Sequence, residues 1–144
     1  MTTKPFVIGI IGETAAGKSM VASMLARLGA RGIDADALVH LALQREGPGY
    51  HAVITEFGAE ILNQEGDIDR ATLAGIVFSD TKKLQKLESI IHPQVSRAFL
   101  NFLGSSQAGV VTLEAVKLIE SGLRQYCDAV WMVRADENIR TERL

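Results

Sequence analysis

The stretch that most constrains this chain lies between residues 6 and 28. Phe6-Val7-Ile8-Gly9-Ile10-Ile11 is an unbroken apolar run rich in branched side chains, which predicts a strand buried on both faces. It passes directly into Gly12-Glu13-Thr14-Ala15-Ala16-Gly17-Lys18-Ser19. From Lys18 the spacing changes: Val21, Met24, Leu25 and Leu28 recur at helical intervals until Gly29, a natural helix stop. A buried strand that feeds a glycine-bounded loop and then a helix points to an α/β fold, in which the helix packs back over a parallel sheet.

The loop itself fits G-x-x-x-x-G-K-[ST], the pattern of a P-loop. Gly12 and Gly17 permit a tight backbone turn, so that successive N–H groups converge on phosphate oxygens. The helix that follows aims its positive end at the same place. Lys18 then reaches the β- and γ-phosphates of a nucleoside triphosphate, and the Ser19 hydroxyl is the candidate ligand to Mg²⁺. The expected nucleotide-binding set is Gly12, Ala15, Ala16, Gly17, Lys18, Ser19 and Met20. The pattern is specific for phosphate binding and says little about where the phosphate goes.

Beyond the first helix, Arg31-Gly32-Ile33-Asp34 reads as a short second strand ending in an acid. Residues 35–107 read as mostly helical. One helix continues from Ala37 to Leu43, before the Gly47-Pro48-Gly49 break. Tyr50, Val53, Ile54 and Phe57 form a second stripe, closed by Gly58. Asp69 is expected to cap a helix carrying Leu73, Ile76, Val77 and Phe78, and Ser79 the next one, with Leu84, Leu87, Ile90 and Ile91 inward. Pro93 marks a boundary, or the first turn of a further helix through Leu103. Val110-Val111-Thr112-Leu113-Glu114 and Ala129-Val130-Trp131-Met132-Val133 complete the strands, and Asp136 is placed to cap a last helix. The expected architecture is a three-layer α/β/α fold of the P-loop NTPase kind. A single domain over 1–144 divides into a nucleotide-binding core at 1–36 and 108–144 and a helical insertion at 37–107.

In open α/β sheets the ligand crevice lies at the carboxyl ends of the strands. Asp34, Asp36 and Glu114 fall there. An acid beside a nucleotide's phosphates serves the metal or orients and deprotonates an attacking hydroxyl, whereas Asp34 can equally be a helix cap. The remaining polar residues carry weaker signals. His92 precedes Pro93 at a helix junction, Arg70 follows a cap, and Lys117 and Glu120 follow the third strand. Arg140 and Arg143 read as a solvated face, and Trp131 reads as core.

Composition narrows the partners. With 15 basic and 17 acidic residues the net charge is −2, so nothing supports wrapping of nucleic acid by bulk electrostatics. The apolar run at Phe6–Ile11 is too short for a membrane span and leads into a loop rather than a cleavage site. One cysteine, Cys127, allows no intrachain disulfide and no Cys-rich zinc site. The expectation is a cytoplasmic protein with a small-molecule partner, with no nucleic acid, no membrane and its oligomeric state open.

Several segments occur together in one order: GETAAGKS at 12–19, IDADALVH at 33–40, FGAEIL at 57–62, GDIDRATLAGIVF at 66–78, IIHP at 90–93 and LEAVKLIESGL at 113–123. In this the chain resembles the dephospho-CoA kinases, over nearly its whole length. The resemblance implies transfer of the ATP γ-phosphate to the ribose 3′-hydroxyl of dephospho-CoA, the final step of coenzyme A biosynthesis. It assigns Asp36 as the base, Lys18 as the P-loop lysine, and the region of Arg70 and His92 to the domain that receives the CoA portion. Glu114 stands where those kinases carry an acid in Asp-x-Pro-Leu-Leu. The chain departs from the family in having Glu13, Thr14, Ala15 and Ala16 in place of Gly-Ile-Gly-Ser, and Met20 in place of threonine. The lid arginine and last strand of such kinases would fall beyond Leu144. Rival readings are another small-molecule P-loop kinase, or a truncated nucleotide-binding fragment without catalysis.

Overall fold

The computed structural model describes residues 4–13, 17–115 and 122–135. Its strands are β1 (Phe6–Ile11), β2 (Arg31–Asp34), β3 (Val110–Glu114) and β4 (Ala129–Met132). Its helices are α1 (Lys18–Arg27), α2 (Ala35–Leu43), α3 (Tyr50–Phe57), α4 (Arg70–Phe78) and α5 (Thr81–Ser105). The chain forms two compact units, one comprising Met1–Asp36 and Phe99–Leu144 and the other Ala37–Ala98.

The first unit is built on a parallel sheet in the order β2-β3-β1-β4. In register, Ile8 and Ile10 of β1 stand beside Thr112 and Glu114 of β3, while Val7 and Gly9 stand beside Val111 and Leu113. Side chains alternate across a strand. Val7, Val111 and Leu113 therefore fill one face and Ile8, Ile10 and Thr112 the other, and all six are buried. The continuous apolar runs of β1 and β3 are what a sheet covered on both faces requires. Gly32 in β2 is explained by close approach, since a Cβ there would meet the Thr112 hydroxyl at 2.8 Å. Before β4, Asp128 acts as an extra rung: its carboxylate accepts from the Val7 N–H and its own N–H donates to the Val7 carbonyl, both at 2.8 Å.

The apolar spacing of α1 does form a helix, but its stripe is only partly covered. Val21 and Leu25 are half-buried, whereas Met24 and Leu28 are 56% and 84% exposed. The spacing fixed the helix and not the burial of each position.

In the second unit Leu38, Val53, Ile61, Leu73 and Val77 are buried. Asp69 caps α4 as expected, accepting from the N–H groups of Ala71 and Thr72. Two expectations fail. The cap of α5 is Asp80, whose carboxylate accepts from the N–H groups of Lys82 and Lys83. Ser79 instead donates back to α4 carbonyls at Gly75 and Ile76. Pro93 also neither ends nor begins a helix, because α5 runs through it for 25 residues. Proline inside a helix costs about 3 kcal/mol through the lost N–H and the ring clash. Against that, Leu87, Ile91, Val95, Phe99 and Leu103 are all buried at every fourth position, and each such burial contributes roughly 1.5–3 kcal/mol. The stripe outweighs the proline. Asp136 and the helix it was expected to cap lie outside the described residues.

Candidate active site

The sheet order places the site. From β1 the chain crosses by way of α1 to β2 on one side, whereas β4 lies on the other side of β1. The carboxyl end of β1, between its two neighbours, is thus the point where strand order reverses, and open α/β sheets bind ligands in that crevice. Four elements deliver side chains there: the loop after β1, the first turn of α1, and the ends of β2 and β3.

Gly17 is the residue before α1 and sits at φ 102°, left-handed backbone that favours glycine. Its carbonyl accepts the first helical bond, from the Val21 N–H at 3.1 Å. Lys18 turns its ammonium back on the loop and donates to the Gly12 carbonyl at 2.7 Å. Ser19 faces the neighbouring strand, and its hydroxyl donates to Oε1 of Glu114 at 2.8 Å. That contact spans 95 residues of sequence, and β3 is held in place for it by the Ala115 N–H, which donates to the Ile10 carbonyl at 3.0 Å.

Asp34 lies in register with Glu114, so two carboxylates end adjacent strands. They are put to different uses. Oδ1 of Asp34 accepts the Asp36 N–H at 2.7 Å and so caps the start of α2, the plainer of the two roles open to it. Asp36, one residue inside α2, is exposed, and its carboxylate has no hydrogen-bond or ion-pair partner among the described residues. Among the described acids that end β2 and β3 or follow them, it is the one without a partner.

A divalent cation fits the donor chemistry of the Ser19–Glu114 pair. Both offer hard oxygen, and Mg²⁺ commonly takes one or two protein oxygens and completes its shell with phosphate and water. No group of three or more His, Cys, Asp or Glu side chains placed to hold a metal ion is found among the described residues.

Comparison with known proteins places the chain in a family. The family model of dephospho-CoA kinase matches residues 6–144. The chain belongs to the dephospho-CoA kinase family. A dephospho-CoA kinase of Geobacter metallireducens is 41% identical over 141 residues, covering 96% of this chain and 70% of that protein. One from Aquifex aeolicus is 39% identical, over 94% of this chain and 70% of its own length. Among solved structures, TT1252 from Thermus thermophilus superposes with a TM-score of 0.81 at 33% identity, over 98% of this chain and 71% of that one. Dephospho-CoA kinase from Campylobacter jejuni gives 0.60 at 18% identity, a likeness of fold. The chain thus spans about 70% of the length of these first relatives.

Within this family frame, the structure brings together Gly12, Gly17, Lys18, Ser19, Asp34 and Glu114. Met20 lies on the first turn of α1 and is 58% exposed. Ala15 and Ala16 lie outside the described residues, as do Lys117, Glu120, Arg140 and Arg143. Trp131, expected in the core, is instead exposed on β4, the last strand of the sheet. Arg70 and His92 belong to the second unit. Arg70 lines a pocket with His40, while His92 lies half-buried on α5 and is not among the residues lining it. Sequence reasoning missed His40, although it stands four residues after Asp36 on the same helix, a spacing that puts two side chains on one face. It also missed the Ser19–Glu114 bond, which no local pattern announces. No helix among the described residues is long and apolar enough to cross a membrane.

Proposed function

We propose that this chain catalyses transfer of the γ-phosphoryl group of ATP, with Mg²⁺, to the ribose 3′-hydroxyl of dephospho-CoA. The observation that carries the reading is the division of labour among the strand-end acids: Asp34 is spent on capping, Glu114 on Ser19, and Asp36 stands unengaged. Asp36 takes the proton of the 3′-hydroxyl as its oxygen bonds to the γ-phosphorus. The bond from that phosphorus to the β–γ bridging oxygen breaks, and ADP leaves. Lys18 offsets the charge that collects on the phosphate oxygens. The loop N–H groups and Lys18 hold the triphosphate in line with the acceptor, so positioning supplies much of the acceleration. Ser19, with Glu114 behind it, would hold Mg²⁺, which would supply neutralisation of phosphate charge. Arg70 and His92 act on the side of the acceptor, and the use of a single cysteine supports a reducing, cytoplasmic setting.

The test is an acceptor panel. The protein is mixed with ATP, Mg²⁺ and dephospho-CoA, adenosine, nucleoside monophosphates or small alcohols, and ADP release is followed. Release accelerated by dephospho-CoA alone is the expected result. Preference for another acceptor would replace the reading with a different small-molecule kinase, and ATP binding without turnover would reduce it to a nucleotide-binding module.

A further inference from the structure

Within the second unit, the end of α2 and the segment from Asp67 to Arg70 form an open pocket of about 230 Å³, lined by Leu43 and Ile68 and by the exposed side chains of His40, Gln44, Asp67 and Arg70. Leu43 and Ile68 are buried and give it an apolar floor. Its polar side chains fall into two groups. Asp67 is engaged: Nε of Arg45 lies 3.2 Å from its Oδ1. Arg45 also donates to the Glu65 carbonyl, and Oδ1 of Asn63 accepts the N–H groups of Glu65 and Asp67 at 3.0 Å each. The Leu62–Ile68 bridge closes this small hairpin. By contrast the His40 ring, the Gln44 amide and the Arg70 guanidinium have no hydrogen-bond or ion-pair partner among the described residues. The pocket thus presents unused donors, while its one carboxylate is already offset by a cation.

We propose that this pocket is an anion subsite for the diphosphate bridge of the acceptor, held by Arg70 and His40 with help from Gln44. Arg45 is a positioning residue that acts through Asp67. The inference rests on the reading of the chain as a dephospho-CoA kinase. The diphosphate is the one charged group of dephospho-CoA, and it hangs from the 5′-carbon of the same ribose whose 3′-hydroxyl reacts. A planar guanidinium meets two phosphate oxygens at once, and an imidazole donates a ring N–H in either charge state. Asp67 would repel an anion were Arg45 not beside it.

The test compares dephospho-CoA with adenosine, which lacks the diphosphate and the pantetheine arm beyond it, by calorimetric titration with ADP present to fill the donor site; the variants then single out the share of the difference that the diphosphate carries. The proteins are wild type, Arg70→Gln, His40→Gln, Arg45→Ala and Arg45→Lys. Wild type is expected to bind dephospho-CoA at least about tenfold more tightly than adenosine, the scale of one or two charge-assisted contacts. Arg70→Gln and His40→Gln should erase most of that preference and leave affinity for adenosine and ADP intact. Arg45→Ala should weaken dephospho-CoA binding, and Arg45→Lys should restore it. Unchanged dephospho-CoA affinity in both pocket variants would overturn the subsite and leave the proposed reaction standing. A parallel loss of ADP affinity, the mark of a damaged fold, would also count against it. A wild-type protein that does not bind dephospho-CoA would overturn both.

Discussion

Among the described residues around the phosphate loop, Lys18 is tied to Gly12, Ser19 to Glu114 and Asp34 to the N–H of Asp36, while the Asp36 carboxylate stands without a partner. In the pocket of the second unit the proportions reverse, and the side chains of His40, Gln44 and Arg70 stand without partners among the described residues, around an engaged Asp67. The first region is built from main chain and strand register, so its geometry is set when the sheet forms. The second is built from side chains at the end of α2 and at the start of α4 with the hairpin before it, up to 30 positions apart in sequence from His40 to Arg70. A phosphate donor common to many reactions can be met by a rigid cradle. An acceptor that must be told from others calls for side chains that are free to be spent on it.

The strongest way to break this contrast is at its one loose acid. Asp36→Asn should lower turnover by about 10²–10⁴-fold, the usual scale of a lost general base, with ATP affinity nearly unchanged in a calorimetric titration. Undiminished turnover would remove Asp36 from the mechanism. A smaller effect is expected from Glu114→Gln, which keeps the hydrogen bond to Ser19 possible and removes the charge. A loss of about 10–100-fold in activity, eased by raising Mg²⁺, is the range for a group that orients a metal ligand, and insensitivity to Mg²⁺ concentration would say that Glu114 serves only the fold. Next in size, Asp69→Ala removes the α4 cap just before Arg70. It should cost about 1 kcal/mol, seen as a fall of about 2–4 °C in melting temperature, together with weaker dephospho-CoA binding; a melting shift with no change in binding would separate the cap from the pocket. The smallest effect concerns Cys127. Burial pushes its thiol up, with Arg124 opposing and Asp128 adding to the rise. At pH 8 it should therefore alkylate more slowly than a free thiol, since only the thiolate reacts. The folded state also keeps a proton that the unfolded chain gives up as pH climbs past the ordinary thiol range, so stability should decline slightly there. Alkylation as fast as that of the unfolded chain would refute the burial.

The same contrast explains what could be read in advance. β1, β2 and β3, the glycine turn at Gly17 into α1, the stripe of α3 and the Asp69 cap follow from short-range rules, and the structure has them where residue order placed them. Asp34 and Asp36 were legible as a pair at a strand end, yet which one caps and which one stays free depends on where a side chain turns. Pro93 was misread because its penalty is local while the stripe from Leu87 to Leu103 that overrides it is not. Ser79 and Asp80 are adjacent and both able to cap; the choice went to the one whose carboxylate reaches the Lys82 and Lys83 N–H groups. His40 escaped notice because a histidine on a helix carries no pattern of its own. Arg70 comes to line the same pocket through a hairpin whose turn has Gly66 at φ 86° and whose N–H groups are held by Asn63.

The bond from Lys18 to the Gly12 carbonyl has a thermodynamic corollary. When a phosphate arrives, the ammonium does not come from bulk water; it exchanges one oxygen acceptor for a more highly charged one. The gain is the difference between two contacts, and the entropy of immobilising a long flexible side chain has already been spent in folding. The lysine's worth to the protein should accordingly appear less in how tightly resting nucleotide is held than in how far charge can build up on the oxygens as the phosphoryl group moves.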